Sequence, residues 1–148
     1  MFKHLLVTLD GTPRGEAVIS HAIDVARSMG AEITLLRVVD EAGANWSERG
    51  ALGKSNSAAT IRSLFTEQAQ SYLDRIAVQM RSSGVEPHVL VKQGQAAPQI
   101  LSTVKEVDAD AIAMATHSRR GINRLMFGSV AEQVLHESSL PVLLIRAG

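Results

Sequence analysis

Residues 110–130 read DAIAMATHSRRGINRLMFGSV. Ala111 to Ala115 is apolar without alternation, as expected of a strand covered on both faces. The run stops abruptly at Thr116-His-Ser-Arg-Arg-Gly121, and Gly128-Ser129 opens a helical pattern over Ser129 to His136. Buried strand, loop of small and cationic residues, and helix start follow in order, which is the repeating unit of an α/β sheet. Such loops often receive an anion, because the first turn of a helix carries unsatisfied N–H groups and the positive end of its dipole.

The same alternation extends outward in both directions. His4-Leu-Leu-Val-Thr-Leu9 is a short apolar run that ends at Asp10-Gly11. Thr12-Pro13 predicts a helix start, with Thr as N-cap and Pro at the first helical position. Val18, Ala22, Val25, Ala26 and Met29 share one helical face, and Gly30 ends it. Ile33 to Val39 is a second strand. From Thr60 the pattern is helical again, with Ile61, Leu64, Phe65, Ala69, Tyr72, Leu73, Ile76 and Met80 inward and Gly84 closing it. Glu86 to Val91 is a third strand. A helix beginning within Gly94 to Pro98 turns Ile100, Leu101, Val104 and Val107 inward, and Pro141 to Ile145 is the fifth strand. Residues 42–57, AGANWSERGALGKSNS, show neither periodicity and read as a long loop. Its Trp46 is either an anchor to the body or a ligand contact.

Five short apolar strands alternating with four helices predict one α/β domain over 1–148, an open doubly wound parallel sheet with helices on both faces. Crossovers are right-handed, and ligands bind beyond the carboxyl ends of the strands where the winding reverses. If the first and fourth strands are neighbours, Asp10 and Ala115 face one crevice.

Fifteen basic and fifteen acidic residues balance, which argues against a broad nucleic-acid footprint. The absence of cysteine removes disulfides, thiolate metal sites and cysteine nucleophiles, and suits a reducing compartment. No signal peptide is read at the N-terminus, and no apolar stretch approaches the roughly 20 residues that span a bilayer. A soluble cytoplasmic protein is expected.

Ser129-Val-Ala-Glu132 has the form of a capping box. Ser129 either only caps its helix or also belongs to a phosphate site, and the two are compatible. Gly128 would let a ligand approach the backbone closely. Arg119, Arg120 and Arg124 add positive charge nearby or are merely solvated. His117 is a phosphate donor or an ordinary loop histidine. Asp10 either accepts from a ribose or binds a metal, or it simply ends the strand in an Asp-Gly turn. His4, His21, His88 and His136 are scattered, and a structural role is the default for each. The sequence contains no nucleophile elbow, Walker lysine loop, His-Glu-x-x-His or dinucleotide-binding glycine pattern, so no catalytic residue is assigned.

Three stretches together resemble the universal stress protein family. They are Leu5-Leu-Val-Thr-Leu-Asp-Gly-Thr12, then Met114-Ala-Thr-His-Ser-Arg-Arg-Gly121 with Gly128-Ser-Val-Ala-Glu132, and the closing Leu140-Pro-Val-Leu-Leu-Ile145. The resemblance implies a five-stranded sheet ordered 3-2-1-4-5, like that of adenine-nucleotide alpha-hydrolases, and a homodimer through the last strand, Pro141 to Ile145. An apolar edge strand in need of a partner agrees with that. Family members that bind ATP carry Gly, two residues, Gly, nine residues, then Gly and Ser or Thr. Here the spacing is intact, but Ala115 and Ser118 replace the first two glycines. Ala115 adds one methyl. Ser118 costs about 1 kcal/mol if its position needs a positive φ, which predicts about tenfold weaker binding rather than loss.

Carried over by position, Thr8, Asp10 and Val38 line the adenine and ribose end. Met114, Ala115, Ser118 and Arg119 border the ribose and phosphates, and Gly128, Ser129 and Val130 receive the phosphates. Thr8 departs from the proline or small apolar residue often found there. The implied ligand is ATP, with or without magnesium, and the implied role is a dimeric stress-response protein that signals through a protein partner still to be identified. The alternative is an interaction module of the same fold without nucleotide. A slow ATP hydrolase is a third reading, which lacks an evident base.

Overall fold

Each strand carries its apolar residues to both faces of one sheet, and this accounts for the unalternating runs. The computed structural model describes residues 1–39, 58–117 and 128–147. Among them the chain forms β1 (His4–Thr8), α1 (Ala17–Met29), β2 (Glu32–Val39), α2 (Ala58–Ser82), β3 (His88–Gln93), α3 (Ala96–Val107), β4 (Ala111–His117), α4 (Ser129–Glu137) and β5 (Val142–Ala147). The strands are parallel throughout, in the order β3-β2-β1-β4-β5.

Two cores lie back to back. On one face Leu5, Val7, Ile33, Leu35, Ala111 and Ala113 meet Val18, Ala22, Leu73, Ile76 and Met80 of α1 and α2. On the other, Leu6, Leu36, Val38, Ile112 and Met114 meet Ala97 and Ile100 of α3 and Ala131 and Val134 of α4. Successive strand residues therefore alternate between cores, not between core and water. Right-handed crossovers place α1 and α2 on one side, and the chain then passes back across β1 to put α3 and α4 on the other. The pairing Leu5↔Ala111 to Val7↔Ala113 sets the carboxyl ends of β1 and β4 side by side. That is where the winding reverses and a crevice opens.

The amino ends of β1 and β4, opposite the crevice, are tied by polar bonds. The Asp110 carboxylate accepts the N–H groups of Lys3 and His4 at 2.8 and 3.0 Å. These two bonds hold its carboxyl below the ordinary carboxylate value. His4 takes the structural role expected of it, sharing a 2.7 Å hydrogen bond through Nε2 with the buried Thr34 hydroxyl.

Several local expectations are corrected. Thr12 does accept the N–H of Gly15, but the turn that follows is 3₁₀-like, with Glu16 bonded to Pro13 and Ala17 to Arg14, and the α-helix begins only at Ala17. Met29, expected on the inward face, is 38 % exposed, while Ala26 one turn earlier is buried. β4 extends to His117, since Ala115, Thr116 and His117 still pair with Ile145, Arg146 and Ala147 of β5. β3 begins at His88 and continues to Gln93 through its pairing with Val39.

Candidate functional site

At the carboxyl ends of β1, β2 and β4 a cleft of about 260 Å³ opens between the sheet and the first turns of α3 and α4. Leu36, Val38, Ile100 and Met114 give it apolar walls, and Asp10, Arg37 and Ser129 add polar groups. An apolar pocket with a few convergent polar groups is the usual form of a small-molecule site. Of the residues singled out by sequence, Thr8, Asp10, Val38, Met114, Ala115, Gly128, Ser129 and Val130 all line it. Ser118 and Arg119 lie outside the described residues, as do Arg120, Arg124 and the 42–57 loop with Trp46.

The start of α4 differs from the sequence expectation. Gly128, not Ser129, is the N-cap, and among the described residues no side chain caps the helix. Ser129 is already the first helical residue, so the Ser129–Glu132 capping box does not form. Glu132 instead donates its N–H to the Gly128 carbonyl at 3.0 Å. The N–H groups of Ser129, Val130 and Ala131 therefore have no acceptor within the helix. Gly128 holds φ 93° and ψ 148°, a region essentially closed to residues with a Cβ. An uncapped helix end is thereby aimed at a cleft whose wall includes its own first turn.

Asp10 follows β1 in an Asp-Gly turn, which is the structural reading of this residue, and it also lines the cleft. Its Oδ1 accepts the Thr12 N–H at 2.9 Å and the Thr12 hydroxyl at 2.7 Å. Gly11, at φ 83°, makes the sharp turn between them. Leu9 is anchored through its N–H to the Leu36 carbonyl at 2.9 Å, which joins the ends of β1 and β2.

Leu9, Gly15, Leu36, Arg37, Ala96, Ile100 and Ala131 also line the cleft and were not foreseen. A signal existed for Arg37: a charge inside Ile33 to Val39 has to sit where the strand meets water. Its guanidinium donates to the Val38 carbonyl and passes beside Gly11. No sequence signal marked Ala96 and Ile100, which depend on α3 starting over the same face as α4.

Tyr72 of α2 places its hydroxyl near this edge, within the electrostatic reach of Glu16, Asp10 and Arg37. The oxygen is buried and makes no hydrogen bond of normal geometry, although the Glu16 carboxylate lies close. Burial first, then the Glu16 and Asp10 carboxylates, push the phenol well above its ordinary value, and Arg37 opposes them. Among the described residues no cluster of three or more His, Asp or Glu side chains is placed to hold a metal ion. None of the described helices is long and apolar enough to cross a membrane.

Sheet order, switch-point cleft and a helix start at Gly128 define a doubly wound α/β protein with a cleft of small-molecule size. The sequence profile of the universal stress protein family matches residues 1–146, and the chain belongs to that family. Universal stress protein MJ0531 of Methanocaldococcus jannaschii is 29% identical over 146 residues, covering 99% of this chain and 83% of that relative. The solved structure of MJ0577 superposes with a TM-score of 0.80 at 22% identity, over 100% of this chain and 98% of that one. A universal stress protein from Archaeoglobus fulgidus, solved in complex with dAMP, superposes at 0.63 and 22% identity, over 98% of each chain. At these identities the superpositions establish the fold.

Proposed function

We propose that the cleft binds an adenine nucleotide, with ATP as the leading candidate, and that the protein is a stress-response component which signals through its nucleotide-bound state. The observation that carries this reading is the uncapped start of α4, whose N–H groups border a cleft with apolar walls and the Asp10 carboxylate. Leu36, Val38, Ile100 and Met114 suit a flat purine, Asp10 suits a sugar hydroxyl, and the amides after Gly128 suit phosphate oxygens. The dAMP bound by the Archaeoglobus fulgidus relative supports the same ligand class. Magnesium would enter with the phosphates. Asp10, the carboxylate among the described residues of the cleft, is given to the sugar, and binding rather than turnover is the proposed activity.

Calorimetric titration with ATP, with and without magnesium, tests the reading. Binding should raise the unfolding temperature in proportion to the logarithm of nucleotide concentration. No heat and no stabilisation at millimolar ATP would remove it.

Ala115 favours a second reading, an interaction module without nucleotide, because its methyl stands in the cleft wall where the family pattern has glycine. The double variant Ala115→Gly, Ser118→Gly separates the two. If affinity appears only in that variant, the natural protein is the module.

A homodimer through β5 completes the proposal. Among the described residues β5 pairs with β4 alone, so its other edge offers unpaired backbone groups. Val142, Leu143, Leu144 and Ile145 remain partly exposed on the two faces of that edge. Light scattering should give twice the chain mass, and Ile145→Lys should shift it toward the monomer.

A further inference from the structure

Gly15 is buried, lines the cleft, and has no left-handed φ that would demand glycine. Space is what excludes a side chain there. A Cβ on Gly15 would stand 2.3 Å from Asp10 Oδ1 and 3.1 Å from its Cγ, closer than real Cβ atoms approach an oxygen. The carboxylate thus lies directly against the Gly15 backbone. It is held there by Thr12, which donates both its N–H and its hydroxyl to the same Oδ1. The Thr12 hydroxyl in turn accepts the Gly15 N–H at 3.1 Å, closing a ring of three residues. One oxygen is fixed by two donors and Cγ lies close over the bare Gly15 backbone, and together these contacts restrain the plane of the carboxylate. The orientation of its second oxygen is restrained with it.

We propose that Thr12 and Gly15 are positioning residues for Asp10, and that this triad makes the cleft discriminate a sugar bearing hydroxyls from one without them. The inference rests on the nucleotide reading above and adds a selectivity to it. Asp10 touches the sugar, whereas Thr12 and Gly15 act through Asp10. Other polar neighbours of that edge, Arg37, Glu16 and Tyr72, affect the local field but do not fill the space Gly15 leaves.

The test compares ATP with 2′,3′-dideoxy-ATP, which keeps the base and phosphates and lacks both hydroxyls. Affinities are measured by calorimetry on the full chain for the natural protein and for Gly15→Ala, Thr12→Val and Thr12→Ser. The natural protein should prefer ATP by at least about tenfold, the scale of one hydrogen bond to a carboxylate. Gly15→Ala and Thr12→Val should bring that ratio to about threefold or less by weakening ATP alone, while Thr12→Ser keeps the hydroxyl and the ratio. Equal weakening of both ligands would show general damage to the site and overturn the proposal, as would an unchanged ratio in Gly15→Ala and Thr12→Val. Should Gly15→Ala not fold, Thr12→Val and Thr12→Ser decide alone. If the natural protein binds both ligands equally, the proposal fails and the nucleotide reading stands. If it binds neither, the nucleotide reading itself has failed.

Discussion

Replacing Gly128 with alanine isolates the backbone geometry at the mouth of the cleft. Among the described residues other than its chain neighbours, no atom lies within 4 Å of where the new methyl would stand, so no clash with them contributes. The cost is conformational: φ 93° with ψ 148° is a region that L residues rarely enter, and holding alanine there costs about 1–3 kcal/mol. Gly30 supplies an internal control. It also has open space around its Cβ, but φ 65° and ψ 29° place it in the left-handed helical region, where alanine costs about 1 kcal/mol. For a domain of this size each kcal/mol corresponds to roughly 2–4 °C in unfolding temperature. Gly30→Ala should therefore lower the midpoint by about 2–4 °C, and Gly128→Ala, at about 2 kcal/mol in the middle of its range, by about 4–8 °C in scanning calorimetry without ligand. If alanine escapes its strain by moving φ to negative values, the N–H groups of Ser129 and Val130 turn with it, and ATP should bind about tenfold more weakly. Equal midpoints for the two variants would refute the glycine-only geometry at residue 128. A destabilised Gly128→Ala that binds ATP like the natural protein would refute the role of those amides in holding phosphate.

Two further predictions concern protonation. The Asp110 carboxyl is held below its ordinary 3.8 by the N–H groups of Lys3 and His4. It contributes stability above its unfolded value and loses it as pH falls through the lower folded value. Asp110→Asn should thus lower the urea midpoint at neutral pH, with the gap closing on acidification below about pH 4; a constant gap down to strong acid would contradict this. Tyr72 is the only tyrosine in the chain, so ultraviolet absorbance follows it alone. The folded protein should show no phenolate until well above 10.0, and stability should fall in that alkaline range because the unfolded chain ionises first. Tyr72→Phe removes a buried hydroxyl that lacks a hydrogen bond. It should be neutral or stabilising by up to about 1 kcal/mol at pH 7 and should abolish the alkaline loss, whereas marked destabilisation would show a strong bond to Glu16.

The ends of elements were the least legible part of the sequence. Thr12-Pro13 carries every mark of an N-cap, and Thr12 does accept the Gly15 N–H. The first turn nevertheless closes in the tighter 3₁₀ form, with the Asp10 carboxylate bonded to Thr12 and packed against Gly15. Ser129-Val-Ala-Glu132 matches a capping box, yet the cap sits one residue earlier on a residue with no side chain. In both places local propensity identified the boundary to within a few residues, and the structure shows which local form it takes.

By itself the sequence determined the type and order of the elements, because apolar period and turn chemistry are local properties of the chain. Unalternating runs such as Ala111 to Ala115 already required helices on both sides of the sheet. Neighbourhood across the sheet is different, since pairing joins residues as distant as Leu5 and Ala111 and no local pattern specifies it; only the resemblance to a family suggested the order. Tertiary structure alone placed Ala96 and Ile100 around the cleft beside the ends of β1, β2 and β4. That placement follows from packing between segments far apart in the chain, where the energy belongs to the contact and not to either residue.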